Sequence, residues 1–166
     1  MNTLPHPDAG QAQQTSSASI SSRNSAGVKQ TMRNVRLRKH ADFQRAYAAS
    51  RKKQSASMSW FIAPQTSSQG AGIESIGPRV GLTVGKVIGK AHERNRIKRR
   101  VREALRRHLE LLPAGCDLIL HPRRVVLTAE FAKLEAEIVR ILKQAQAEAA
   151  RSEQNQALQG AAAMPV

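Results

Sequence analysis

One segment of the chain, AHERNRIKRRVREALRRH at residues 91–108, restricts the possible folds more than any other. It holds eight Arg and Lys residues, and aliphatic residues recur among them with the period of an α-helix. At about 100° per residue, one side of this helix faces a core and the opposite side is cationic. We therefore predict an amphipathic helix over about 91–112 that packs against other elements of a folded domain. The core-facing positions are Ile97, Val101, Ala104, Leu105, His108 and Leu112.

The cationic side of this helix favours binding to a polyanion. Lys98, Arg102 and Arg106 follow at i, i+4 spacing, where like charges repel, and most of the bases are Arg, whose planar guanidinium suits phosphate. The chain's net charge of +15 attracts nucleic acid or an anionic membrane. A membrane-surface helix would carry larger aromatic or Leu residues, and no zipper, zinc-finger or helix-turn-helix pattern indicates sequence-specific DNA binding. A merely solvated face remains the alternative, particularly for Arg106 and Arg107.

Composition divides the chain into three parts. Residues 1–30 are rich in Ser, Gln, Ala and Asn without a hydrophobic period, which predicts a disordered tail. Residues 147–166 fade into Ala, Gln and Gly, which predicts a disordered or frayed tail. The segment between them, 31–146, is long enough for one independently folding domain. No apolar run approaches the roughly 18 residues of a membrane span, no signal peptide is recognisable, and the single Cys116 cannot form an internal disulfide. We expect a cytoplasmic protein.

Hydrophobic periodicity predicts the order α-β-β-α-β-α, an α+β fold with three helices on a small sheet of three to four strands. The first helix carries Phe43 and Tyr47 on one face, and the next strand places Trp60 and Phe61 on opposite faces. Thr128 is the predicted N-cap of the last helix. The strands are predicted in SMSWFIAP at 57–64, RVGLTVG at 79–85 and CDLILHP at 116–122.

Single-stranded nucleic acid is bound by a basic track together with stacking aromatic residues. Phe43, Tyr47 and Phe61 could supply the stacking or could be ordinary core residues, and the pattern alone leaves both open. No carboxylate pair, His/Cys metal cluster or Ser-His-Asp arrangement is supported. His92 beside Glu93 is more typical of an incidental surface pair than of a general base. The sequence therefore indicates a nucleic-acid-binding protein with no catalytic residues of its own.

The segment RVGLTVGKVIGKAHERNRIKRRVREALRRH, residues 79–108, resembles the characteristic block of the protein subunit of bacterial ribonuclease P. That block is a strand of the R-V/I-G-L-T/S-V type, a short basic turn and a helix opening with Arg-Asn-Arg, here residues 94–96. Upstream LRKHADFQRAY and downstream DLILHPRR also resemble the family, so the similarity covers about residues 33–145. The departures from the family pattern are His40, Gly85, Val87 and residues 120–122.

The resemblance implies that the basic helix joins two parallel strands through a left-handed crossover, where general chirality rules predict a right-handed one. It implies that a cleft between the first helix and the sheet binds the 5′ leader of precursor tRNA through Phe43, Tyr47 and Phe61. The RNA subunit, with Mg²⁺, would carry out the endonucleolytic step of tRNA 5′ maturation in a 1:1 ribonucleoprotein, and the protein would hold no metal of its own. The residues expected to contact the catalytic RNA are Lys86, Lys90, Arg94, Asn95, Arg96, Lys98, Arg99 and Arg102.

A non-catalytic RNA-binding protein of the ribosomal or RNA-chaperone type is the alternative. It explains the charge equally well, but it does not explain an Arg-Asn-Arg sequence directly after a G-L-T-V strand.

Overall fold

The computed structural model describes residues 30–65 and 77–162, which form three α-helices and one four-stranded sheet. The predicted α+β order is confirmed, with one additional two-residue strand. The N-terminal tail predicted over 1–30 lies outside the described residues except for Gln30. No helix in the described part of the chain is long and apolar enough to cross a membrane. The elements are α1 (His40–Ala49), β1 (Lys53–Gln54), β2 (Met58–Pro64), β3 (Arg79–Leu82), α2 (Ala91–Arg107), β4 (Cys116–Pro122) and α3 (Phe131–Ala162).

The sheet has the strand order β1-β2-β4-β3. β2 pairs antiparallel with β1 and with β4, whereas β3 pairs parallel with β4. The helix α2 therefore connects two parallel strands that are neighbours in the sheet. This is the β-α-β connection that the resemblance implies, and its left-handedness stays a prediction.

The two faces of the sheet are covered by different helices. Side chains alternate between the faces along each strand, so Trp60 and Val80 join the large core beneath α2 and α3, while Phe61 and Ile119 lie in a smaller cluster under α1. The predicted opposite faces of Trp60 and Phe61 are confirmed. The predicted core side of the basic helix is confirmed at five of its six positions, whose side chains are buried: Ile97, Val101, Ala104, Leu105 and, beyond the helix end, Leu112. The sixth, His108, is only half-buried and pairs with Glu135, so its prediction as a core residue is wrong.

The predicted end of the basic helix at about residue 112 is wrong. α2 ends at Arg107, because His108 leaves the helical conformation with φ −132° and ψ 33°. A 3-10 turn over Leu109–Leu111 follows. The next residue, Leu112, is extended, as expected of a residue that precedes a proline.

Two predictions about the last helix are also wrong. Thr128 does not cap α3: its hydroxyl donates to the carbonyl of Val125 at 3.4 Å, within a 3-10 turn, and the helix begins at Phe131. The helix also continues to Ala162, so residues 147–162 are helical instead of frayed. This stretch is rich in Ala, Gln and Glu, which have high helix propensity, and its first turn is also held to the domain by the buried Ala149 and by the pair of Glu148 with Lys53.

Candidate nucleic-acid interface

The N-terminus of α2 is held in place by the carboxylate of Glu93. One oxygen accepts the backbone N–H of Lys90 at 2.7 Å, and the other accepts the guanidinium of Arg124 at 2.9 Å. The hydrogen bond from Lys90, helped by the charge of Arg124, lowers the pKa of Glu93. The preceding Gly89 has φ 155°, and a Cβ there would overlap this carboxylate. Glu93 is therefore a capping residue, which further weakens a general-base role for the exposed His92.

Two cations of α2 point back into the protein. Arg94 donates to the carbonyl of Gly89 at 2.7 Å. Arg100 donates to the carbonyls of Val126 and Leu127, both at 2.7 Å, and also to the carbonyl at position 129. These bonds fasten α2 to the turn that precedes α3. Arg100 thus has a structural role, and Arg94, predicted to contact RNA, also shapes the turn before the helix.

The other residues predicted to contact the RNA are exposed or half-buried. Asn95, Arg96 and Arg99 are exposed, whereas Lys98 and Arg102 are half-buried along the same side of α2. Lys86 and Lys90 are exposed in the turn and at the N-cap that lead into the helix. Among the described residues, no side-chain hydrogen bond or ion pair to protein engages these five cations: Lys86, Arg96, Lys98, Arg99 and Arg102.

The bases at the C-terminal end of α2 are neutralised within the protein. Glu103 accepts Arg106 at 2.8 Å and Arg107 at 3.2 Å, and these hydrogen bonds lower its pKa. Arg107 also pairs with Glu135 at 3.3 Å and lies 4.8 Å from the centre of the Phe131 ring. These pairs agree with the solvated interpretation of Arg106 and Arg107. Among the described residues of α2, the cations without a protein partner are therefore Arg96, Lys98, Arg99 and Arg102, and Lys86 lies in the turn before the helix.

The three aromatic residues predicted to bind the leader come together between α1 and the sheet. The Tyr47 ring centre lies 6.4 Å from that of Phe43 and 5.1 Å from that of Phe61. All three are half-buried. The strand β4 adds His121, whose ring lies 5.6 Å from Tyr47 and 5.4 Å from Phe61. His121 was not among the residues predicted for this cleft, although the alternation of CDLILHP places it on the same face as Ile119.

A network of two Asp and two Arg residues holds α1 over this cleft. Asp117, fully buried in β4, accepts Arg79 at 2.7 and 2.9 Å and Arg45 at 3.2 Å. Asp42 in α1 accepts Arg45 at 3.0 Å and Arg79 at 3.2 Å. Because each carboxylate bridges both arginines, the network fixes the angle at which α1 crosses the sheet.

The ionisable groups beside the cleft are engaged within the protein. Over 30–65 and 77–162, no set of three or more His, Cys, Asp and Glu side chains could hold a metal ion. The buried carboxylates beside the cleft, Asp42 and Asp117, are engaged by arginine. Burial raises the pKa of the Cys116 thiol to about 11, so that this side chain is a poor nucleophile. The arrangement is suited to binding a polyanion on α2 and an extended, unpaired strand in the aromatic cleft.

Comparison with known proteins gives the same family on each count. The Ribonuclease P family model matches residues 32–146. The ribonuclease P protein component of Chloroflexus aggregans is 40% identical over 111 residues, covering 66% of this chain and 76% of that protein. The RNase P protein of Staphylococcus aureus has 26% identity and a TM-score of 0.55, covering 68% of this chain and 95% of that one. The RNase P protein of Thermotoga maritima also has 26% identity and a TM-score of 0.55, covering 66% and 96%. With its basic helix between parallel strands and a family match over residues 32–146, the chain belongs to the ribonuclease P protein family.

Proposed function

We propose that this chain is the protein subunit of a cytoplasmic ribonuclease P ribonucleoprotein, and that it supports endonucleolytic removal of the 5′ leader from precursor tRNA. It binds the catalytic RNA in a 1:1 complex through the outward face of α2, and it binds the leader in the cleft between α1 and the sheet.

The observation that carries this proposal is the division of the cations on α2. Arg100, Arg106 and Arg107 are satisfied by carbonyls and carboxylates of the protein. Arg96, Lys98, Arg99 and Arg102 lie on the outward side of α2 and have no such partners among the described residues. Like charges at this spacing repel one another in the free protein. RNA phosphates neutralise them and release counterions, which is a large source of affinity for nucleic acid.

The cleft supports the second half of the proposal. Phe43, Tyr47 and Phe61 leave part of each ring accessible, and stacking of an unpaired base on such a ring contributes about 1–3 kcal/mol. A strand that stacks here need not have a particular sequence, because every base has a π-face. This suits a leader that differs from one precursor tRNA to the next.

The protein contributes binding and orientation in this mechanism. The RNA subunit, with Mg²⁺ bound to it, would supply the activation of water and the stabilisation of charge that phosphodiester hydrolysis requires. The cations of α2 hold the RNA subunit, and the rings of the cleft hold the leader in an extended form beside it. Positioning of this kind lowers the barrier because the reactants have already lost their translational and rotational entropy on binding.

Cleavage of precursor tRNA by the RNA subunit at low Mg²⁺ tests the proposal. Added protein should increase cleavage, and a variant with Arg99 and Arg102 both changed to Glu should not. Lys133→Glu is the matched control, because Lys133 is an exposed base on α3 whose side chain is 82% exposed. This control should increase cleavage as the unmodified protein does. Unchanged cleavage at protein concentrations that saturate RNA binding would refute the proposal and favour a non-catalytic RNA-binding protein.

A further inference from the structure

A histidine lies at the floor of the aromatic cleft, at a position that the proposed function does not yet use. The imidazole Nε2 of His121 lies 2.7 Å from the Tyr47 hydroxyl, which also approaches the Thr83 hydroxyl at 3.5 Å. The ring meets Tyr47 and Phe61 edge-on, at interplanar angles of 70° and 60°. His121 is therefore held in one orientation by three elements of the fold.

The second nitrogen of this ring is available to a ligand. Whichever of the two atoms donates in the bond to Tyr47, Nδ1 has no hydrogen-bond partner among the described residues. On the same face of β4, Ile119 is fully buried, and Asp117 is engaged by Arg45 and Arg79. His121 is thus a half-buried imidazole with one edge that no described residue engages.

The charge around His121 favours an anion. Burial and the positive charge of Lys52 lower its pKa, so the ring is neutral at pH 7. Of the groups that surround it, Tyr47 on α1, Phe61 and Ser59 on β2, and Thr83 after β3 carry no charge. The charged groups of α1, β3 and β4 on this side of the sheet, Asp42, Arg45, Arg79 and Asp117, are paired with one another. Lys52, in the segment between α1 and β1, is the neighbouring charge. The positive charge of Lys52, which acts on this ring, also attracts a phosphate, and the negative charge of a phosphate at the free edge stabilises the imidazolium form.

We propose that His121 is a leader-binding residue of this protein: its free edge hydrogen-bonds to a leader phosphate while its Nε2 orients the Tyr47 hydroxyl. This inference rests on the proposed binding of the leader in the cleft and adds a polar contact to the stacking there. Because the bound phosphate favours the protonated ring, leader binding tightens as the pH falls from 8 to 5.5.

The test uses the ribonucleoprotein reconstituted from the full chain and the RNA subunit. The dissociation constant is measured for mature tRNA and for a precursor with a non-cleavable scissile linkage, and their ratio is the leader contribution. With wild-type protein this ratio should rise as the pH falls. His121→Leu should reduce the leader contribution about tenfold at pH 5.5, because a hydrogen bond to a charged group is lost. The leader contribution of this variant should also no longer depend on pH. His121→Gln, which keeps a polar side chain but cannot be protonated, should also be independent of pH.

The control is His108→Gln, which changes an imidazole that pairs with Glu135 at 3.0 Å, away from the cleft. Its pH profile should match that of the wild type. A leader contribution that is present but keeps its wild-type pH profile in both His121 variants would overturn the inference and leave the proposed function intact. A wild-type complex with no leader contribution at any pH would instead overturn leader binding in the cleft itself. Circular dichroism and urea unfolding of each variant establish that it is folded.

Discussion

Replacing Gly81 with Ala should displace Phe43 from its place in the cleft. Gly81 lies in β3 directly beneath the ring, and a Cβ there would be 2.6 Å from Phe43 Cε1 and 2.8 Å from Cζ. Leu37 Cδ2 would be 3.2 Å away on another side. The ring must therefore shift by about an ångström, on an element whose crossing angle is fixed by the Asp–Arg network.

The expected cost combines two opposing effects. Overpacking of this kind destabilises a core by typically 1–3 kcal/mol, while Gly→Ala stabilises by about 0.4–1 kcal/mol through the unfolded state. The net loss for Gly81→Ala is about 1–2 kcal/mol. With a urea dependence of about 2 kcal/mol/M for a domain of this size, the unfolding midpoint should fall by roughly 0.5–1 M.

Urea unfolding of the wild type, the two single variants and the double variant checks this reasoning. Phe43→Leu removes the two ring atoms that would collide, so Gly81→Ala should cost markedly less in that background. Gly85→Ala is the control, since its Cβ would meet Val87 Cγ2 at 3.7 Å, which is ordinary contact; its midpoint should not fall. An equal loss for Gly81→Ala in the wild-type protein and in the Phe43→Leu variant would show that the ring does not lie on Gly81.

Three further predictions concern buried polar groups. Asp117→Asn removes the buried charge that holds Arg79, and it should lower the free energy of unfolding in urea by about 3 kcal/mol; a loss below about 0.5 kcal/mol would contradict the bridging role. Burial raises the pKa of Glu137, but hydrogen bonds from Ser55 and Ser57 outweigh it, and the net pKa is lowered. The difference in the free energy of unfolding between the wild type and Glu137→Gln should therefore be largest above the ordinary Glu pKa of 4.5. It should disappear as the pH falls through the depressed pKa of Glu137. A difference that does not change with pH would contradict this. Cys116, with its pKa raised to about 11, should be alkylated at pH 8 far more slowly in the native protein than in urea, and equal rates would refute its burial.

Much of the architecture follows from local patterns. The spacing of Ile97, Val101 and Leu105 determines which side of α2 enters the core. This side can be predicted because apolar side chains at helical spacing are buried together. The alternation in β2 correctly separates Trp60 from Phe61, because a strand turns successive side chains to opposite faces. The Arg-Asn-Arg sequence after a G-L-T-V strand indicates the family from the sequence alone, because the motif does not depend on any tertiary contact.

The pairing of individual cations could not be predicted in the same way. Arg99 and Arg100 are adjacent and chemically identical, yet only Arg100 meets carbonyls, because the turn at 124–129 passes over that side of α2. Such partners lie more than twenty residues away and depend on the fold as a whole. The last turn of α2 shows the same limit. Periodicity carries the helix on to Leu112, but the chain leaves the helix at His108 and still brings Leu112 into the core.

The most direct test of RNA binding by the outward face of α2 compares Arg99→Ala with Arg100→Ala. The affinity of each variant for the RNA subunit is measured over a range of salt concentrations. Arg99→Ala should flatten the slope of log K against log [salt] by roughly 0.7–0.9, the loss of one phosphate contact. Arg100→Ala should keep the wild-type slope and instead lower the urea midpoint, since its guanidinium is engaged by backbone carbonyls. A wild-type slope for Arg99→Ala together with a flattened slope for Arg100→Ala would contradict the assignment of this face to the RNA.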